Sequence, residues 1–147
     1  MQLTHTYAPF IDRLADAAGA AIMPHFRSDH GVENKLETGF DPVTVADRNG
    51  EAAIRALINA EYPDHGILGE EHGAENLDAD HVWILDPIDG TRAYIRGDPH
   101  WCIGLAIVEE GAAVGGVLYA PELDEFYEAH RGQGAFLNGT AIRVSEC

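Results

Sequence analysis

The apolar run Val82-Trp83-Ile84-Leu85 stops abruptly at Asp86-Pro87-Ile88-Asp89-Gly90-Thr91. A short apolar run ended by Pro and Gly reads as a buried strand followed by a loop, which commits the chain to a sheet with two carboxylates at its mouth. Pro87 is predicted to hold the first loop residue extended, so Asp86 and Asp89 should leave the sheet together. Two such carboxylates with no lysine beside them repel at close range unless a cation sits between them. Oxygen-only ligands favour Mg²⁺, Mn²⁺ or Ca²⁺ over zinc. Gly90 would let the backbone approach a ligand closely, with its N–H and that of Thr91 free to bind an anion.

Length and charge bound the partners. The 147 residues suit one ordinary domain with a real core. Twenty-five acidic residues against nine basic give a formal charge of −16, which argues against nucleic acid or an anionic membrane as a direct partner. No uninterrupted stretch is long enough to span a bilayer, and the start MQLTHTYAPF lacks the basic head and apolar centre of a secretory signal. Cys102 and Cys147 do not make a disulfide framework. The expected setting is cytoplasmic.

Leu3, Tyr7, Phe10, Ile11, Leu14, Ala18, Ala21, Ile22 and Phe26 recur at helical spacing, interrupted only by Pro9. A second helix is predicted from about Val45 to Tyr62, with Thr44 as N-cap, Asp47 three residues on, and Pro63 as its stop. Residues 28 to 43 are polar and predict a loop or hairpin carrying Lys35. Gly66 to Gly69 reads as a short strand, 72 to 81 as an acidic loop. Ile103 to Val108, Ala113 to Tyr119 and Glu125 to Ala129 read as consecutive strands. The pattern predicts an α+β fold, a helix pair layered on a mixed, largely antiparallel sheet.

Three acidic elements then stand out: Asp47, Glu70-Glu71 and Asp86/Asp89. Singly, each has a plain reading. Asp47 complements the dipole of its helix, and Glu70-Glu71 is a solvated loop. Jointly they read as a metal site, because a sheet gathers its strand-end loops on one edge. Other motifs fail. A Ca²⁺ loop starting at Asp78 would need Gly at its sixth position, where Trp83 stands. The Walker lysine is absent, and an aspartyl-phosphate motif needs its carboxylates one residue apart rather than separated by two. Trp83 and Trp101 are expected in the core, and Cys102 as a buried small hydrophobe. Gly132 and Gly134 read as turn residues.

The segments DPVTVAD (41 to 47), GEEHG (69 to 73), WILDPIDGTRAYIRGDPHW (83 to 101) and GGVLYAPELDEFYEAHRGQGAFLNGTAIRVS (115 to 145) together resemble the inositol monophosphatase superfamily. Thr91 to Ile95 and Gly97 to Trp101 look more like its histidinol-phosphate phosphatase branch than its inositol branch. The resemblance implies a Mg²⁺-dependent phosphate monoester hydrolase working by direct attack of metal-activated water, with two or three ions and Mn²⁺ as an alternative. Carried over by position, Glu70, Asp86, the Ile88 carbonyl and Asp89 would be metal ligands. Asp47 and Thr91 would orient the attacking water, Glu70 completing the catalytic set. Ile88, Asp89, Gly90, Thr91 and Arg92 would line the substrate. Glu71 either tunes the first ion's site or is an exposed acid. Lys35 is a counter-charge near the metal or simply solvated, and Arg92 reads substrate charge or caps the loop.

Family chains continue into a second domain that brings a further metal-binding aspartate and most of the alcohol pocket. Residues 1 to 147 therefore resemble the N-terminal metal-binding domain alone, with the second domain absent. The expected substrate is a small phosphorylated metabolite, histidinol phosphate first. The alternatives are an inositol-1-phosphate phosphatase or a non-catalytic metal-binding or interaction half-domain, and a homodimer is one assembly open to it.

Overall fold

The computed structural model describes residues 3–27 and 44–146, without the side chains of residues 3–6 and 44. The segment predicted as the Lys35 loop, and the side chain of the expected N-cap Thr44, lie outside the described residues. Helix α1 spans Leu3–Ile22 and ends in a 3₁₀ turn at Met23–His25; α2 spans Thr44–Glu61. The strands are β1 (Gly66–Gly69), β2 (Gly73–Glu75), β3 (His81–Asp89), β4 (Cys102–Glu109), β5 (Ala112–Ala120), β6 (Glu125–His130), β7 (Gly134–Leu137) and β8 (Thr140–Ile142), with helix α3 (Thr91–Arg96) between β3 and β4.

All eight strands form one sheet in the order β2-β1-β3-β4-β5-β6-β7-β8. Only β1 and β3 pair in parallel; the other neighbours are antiparallel. The mixed, largely antiparallel sheet under a helix pair is the layering the sequence pattern implies. Three details differ from the expectation. The acidic stretch after Glu71 contains strand β2, paired to β1 from Ile67↔Glu75 to Gly69↔Gly73. Residues 91–96 make a short helix, opened by Gly90 at φ +92°. Strands β7 and β8 extend the meander past Gly132, a turn residue at φ +76°, whereas Gly134, expected in a turn, opens β7 at φ +88°.

The core lies between the helices and one sheet face. Tyr7, Phe10, Ile11, Leu14, Ala18 and Ile22 form the buried stripe of α1, with Ile54 and Ile58 from α2, the spacing of one helical face. Across from them sit Ile67, Trp83, Leu85, Ile103, Leu105, Ile107 and Val117. Trp83 is wholly buried, edge-on to Tyr7 at 5.7 Å and to Phe10 at 5.5 Å, and cutting such a side chain to Ala costs about 3–5 kcal/mol. Trp101, also buried, packs on Tyr94 and Phe26. Gly50 lets α1 and α2 approach: a Cβ there would stand 2.7 Å from Ile22 Cδ1 and 3.3 Å from Pro87 Cβ.

Trp83 donates its Nε1–H to His65 Nδ1 at 3.0 Å, and His65 stacks on Tyr62 and His81. Burial, and then the charge of His81, hold the His65 pKa below its ordinary 6.5. The unfolded chain therefore takes up this proton before the folded one does, so the contribution of His65 to stability is complete above about pH 6.5 and declines below it. We expect the urea midpoint to fall between pH 7.5 and 5.5. The fall should be smaller in His65→Asn, whose amide oxygen still accepts from Trp83. An equal fall in both proteins would exclude His65 as its source.

Candidate metal centre

Asp86 pairs with Gly104 and Asp89 with Cys102, so three steps along β3 match two along β4. This is a β-bulge at Pro87-Ile88, one extra residue on one strand. Its consequence is geometric. Gly104 and Cys102 share a sheet face, being two apart on one strand, and their partners Asp86 and Asp89 therefore share it too. Without the bulge a spacing of three would have put them on opposite faces. The two aspartates thus do not leave the sheet, as the Pro-Gly signal suggested; they stay in β3 and are aligned by its irregularity. The face is the one turned away from the helices, since Trp83 and Leu85 occupy the other.

Asp86 is half-buried. Desolvation raises its pKa above the usual carboxylate value, the charges of Glu70 and Asp89 add to the rise, and the Ile88 N–H bonded to it offsets part. Its Oδ1 is buried and has no hydrogen-bond partner. Pro87 and Ile88 have no partner residue across the bulge. Cys102 stands opposite Asp89, Sγ to Oδ2 at 3.9 Å, and burial with the two aspartate charges pushes its thiol up to about 11. It is only partly buried and stays a neutral thiol beside the site, rather than the enclosed hydrophobe expected.

Glu70 follows β1, which lies parallel to β3 with Gly69 opposite Leu85. A cleft of about 470 Å³ lined by Leu68, Gly69, Glu70, Ile84, Leu85 and Asp86 runs along this edge. Glu71 turns elsewhere: its N–H donates to Glu51 Oε2 at 2.9 Å, and its carboxylate faces Arg48 at 3.7 Å. The sequence read Glu71 as tuning the first ion's site or as an exposed acid; its side chain is partly buried and faces Arg48. Glu51 and Arg55 were missed from the sequence. Their spacing of four within α2 marks an ion pair, but nothing in the sequence says that the pair is buried.

Asp47 is buried on the inner face of α2. Its charge reaches Tyr94 of α3, whose pKa burial raises well above the ordinary value. Tyr94 also donates its hydroxyl to the Ile22 carbonyl at 3.1 Å, tying the end of α1 to α3. Thr91 is the first residue of α3, and Arg92 points outward, exposed. Gly90 is required at its position. A Cβ would stand 3.1 Å from the His100 carbonyl and the φ is left-handed, so its role in the turn is a tight approach of backbone to backbone. Asp89 and Gly90 border a second hollow of about 230 Å³ with His100, Trp101, Cys102 and Ala120.

The structure thus brings Glu70, Asp86 and Asp89 within electrostatic range on one face, and Asp47 to the neighbouring α3. Among the described residues no three His, Cys, Asp or Glu side chains form a ready-made metal cage. The donor set nevertheless fits a hard divalent cation: all oxygen, negatively charged, with one buried carboxylate oxygen left unpartnered. An Asp whose pKa is raised by burial and then by two neighbouring carboxylates is a group that a cation would relieve.

The fold and this acidic strand edge define a class of acid-lined α+β domain, and comparison with known proteins narrows it. The chain belongs to the inositol monophosphatase family, whose pattern it matches over residues 4–147. Members of this family are generally metal-dependent, typically with Mg²⁺. The chain is 43% identical over 134 residues to a histidinol-phosphatase of Chlorobaculum parvum, covering 90% of this chain and 51% of that one. It is 39% identical over 128 residues to an inositol-1-monophosphatase of Rhizobium meliloti, with 86% and 48% covered. The IMPase of Thermotoga maritima superimposes with a TM-score of 0.80 at 40% identity, over 94% of this chain and 53% of that one. The chain spans about half the length of the curated relatives it matches.

Mg²⁺ should raise the thermal midpoint of the chain, by about 2.7 kcal/mol of stability at one hundred times its dissociation constant. Asp86→Asn should abolish that shift, yet in EDTA its midpoint should equal or exceed that of the parent, because a neutral amide escapes both desolvation and repulsion. Persistence of the Mg²⁺ shift in Asp86→Asn would remove this residue from the site.

Proposed function

We propose that this chain is the metal-binding part of a Mg²⁺-dependent phosphate monoester hydrolase. The observation that carries the reading is the buried, unpartnered Oδ1 of Asp86, a residue that also feels the charges of Glu70 and Asp89. Glu70, Asp86, Asp89 and the Ile88 carbonyl are the proposed ligands of Mg²⁺, in two or three ions, or of Mn²⁺. When bound, such ions activate water and neutralise charge on phosphate and leaving oxygen. Asp47 and Thr91 would orient the attacking water by a hydrogen bond passed from one to the other. The N–H groups of Gly90 and Thr91 would hold phosphate oxygens, and Arg92 would meet negative charge on the substrate. In sequence, no Ser, Cys or His falls within Asp86 to Thr91, and the Cys102 thiol that stands beside Asp89 is kept neutral, which supports direct attack by water without a phosphoenzyme.

The substrate proposed is a small phosphorylated metabolite, with histidinol phosphate first. The residues Thr91 to Ile95 and Gly97 to Trp101, and the likeness to the Chlorobaculum histidinol-phosphatase, favour it. Inositol 1-phosphate is the second reading, favoured by the likeness to the Rhizobium enzyme. The charge of −16 supports a partner that is neither nucleic acid nor membrane. Among the described residues no helix is long and apolar enough to cross a membrane; a cytoplasmic setting and a homodimer stay as proposals. The sheet face beside the cleft exposes Leu68 (40%), Ile84 (41%) and Leu118 (50%). On our reading a second domain with a further carboxylate packs there, and the 147 residues alone are weakly active.

A panel of histidinol phosphate and inositol 1-phosphate, with Mg²⁺ and with EDTA, tests the reading on this chain and on a longer polypeptide that includes the second domain. Hydrolysis should need Mg²⁺ and prefer histidinol phosphate. Asp47→Asn and Thr91→Ala should lower kcat by about 10²–10⁴-fold with little change in KM. Metal-independent hydrolysis, or a phosphorylated side chain trapped during turnover, would overturn the mechanism.

A further inference from the structure

Glu51 is the one carboxylate with no exposed surface among the described residues, and it lies directly under the turn that carries Glu70. Its Oε2 accepts the Glu71 N–H at 2.9 Å, and its Oε1 accepts the His72 N–H at 3.0 Å and Arg55 Nε–H at 2.9 Å. From the other side Gly69 presses on the same group. A Cβ on Gly69 would stand 2.2 Å from Oε1, 2.5 Å from Cδ and 2.8 Å from Oε2 of Glu51. Residues 69, 71 and 72 therefore all rest on a single carboxylate, and Glu70 is the member of the turn left to face Asp86. Arg55 extends the clamp. It bonds the Gly73 carbonyl through Nη2 and Glu75 through Nη1 at 3.0 Å, which fixes the start of β2 as well.

We propose that Glu51, held by Arg55, is a positioning residue that sets the Glu70 turn in the geometry needed for divalent-cation binding. The inference rests on the reading of Glu70, Asp86 and Asp89 as ligands. As mere stabilisation the arrangement is poor: a buried ion pair is often matched or bettered by apolar side chains of the same volume. What the carboxylate adds is direction. It offers two acceptor oxygens to two successive backbone donors, which no apolar side chain could satisfy. Glu51 also sits four residues after Asp47 on the inner face of α2. One helix thus presents Asp47 to the α3 side of the site and supports the Glu70 side from beneath. Partners behind the ligands commonly change metal affinity about 10–100-fold.

The test is calorimetric titration of the intact chain with Mg²⁺ and Mn²⁺, alongside circular dichroism of each metal-free variant. Glu51→Gln puts an amide NH₂ against a backbone N–H. Gly69→Ala displaces the carboxylate while keeping every charge. Both should lose divalent affinity about 10–100-fold while keeping native dichroism, and Glu75→Gln, at the outer end of the clamp, should bind like the parent. In the parent without metal, the Glu71 and His72 amides should be strongly protected from hydrogen exchange, a readout that no variant's folding can obscure. Parent-like affinity in folded Glu51→Gln and Gly69→Ala would overturn the proposal, and so would unprotected Glu71 and His72 amides. Glu70→Gln and Asp89→Asn separate the two readings. If they leave affinity unchanged, the ligand assignment itself is wrong; if they lower it and Glu51→Gln does not, only the positioning role fails.

Discussion

One extra residue in β3 decides where the charge of this domain goes. Asp86 and Asp89 pair with Gly104 and Cys102 across the bulge at Pro87-Ile88, and this register turns a spacing of three into a shared face. The alternative is instructive. In a regular strand Asp89 would point toward the helices, among Trp83, Leu85 and Ile103, where an unpaired carboxylate would be prohibitively costly. The bulge also leaves Pro87 without a ladder partner, which suits a residue that has no N–H to give, and frees the Ile88 N–H to meet the Asp86 carboxylate.

The second fixed point is α2. Its inner face is divided: Ile54 and Ile58 pack into the core, while Glu51 and Asp47, about one and two turns nearer its start, are buried acids. A helix with such a face is held by its apolar half and can orient its acidic half. Gly50 makes this possible by letting Ile22 and Pro87 close onto the helix between the two acids. The helix, the bulge and the end of β1 are therefore packed against one another, and none can shift without moving a carboxylate.

Much of this was legible in the sequence where the signal is local. The apolar spacing of α1, the stop of α2 before Pro63 and the alternation of β4 to β6 follow from patterns that the core enforces residue by residue. Asp86, Asp89 and Glu70 stood out because acids at strand ends have few structural uses. Other features depended on contacts distant in sequence. The placement of Asp86 and Asp89 within β3 is set by β4, and a Pro-Gly signal cannot report a pairing that begins at Cys102. Strand β2 is polar and three residues long, held by its register with β1 rather than by any apolar pattern. Helix α3 has six residues, too few to show a period. Glu51 and Arg55, missed from the sequence, stand at a spacing of four that says nothing of burial, and only the turn folded over them reveals the carboxylate as buried.

The face that receives the aspartates adds a last consequence. The alternation that turns Asp86 away from the helices turns Ile84 the same way, and Leu68 and Leu118 join it on β1 and β5. The acids therefore stand beside apolar surface, and the half-burial of Asp86 is the largest cause of its raised pKa. Covering that face with any further chain would lower the local dielectric again, and repulsion among Glu70, Asp86 and Asp89 would grow as it did so. The pull of the same three groups on a divalent cation would grow in proportion. If these three groups hold the ion as proposed, ion binding and coverage of the open face would be coupled through solvent, and the coupling would be reciprocal. An ion that neutralises the acids removes the main electrostatic cost of burying them, and a cover that excludes water tightens their hold on the ion.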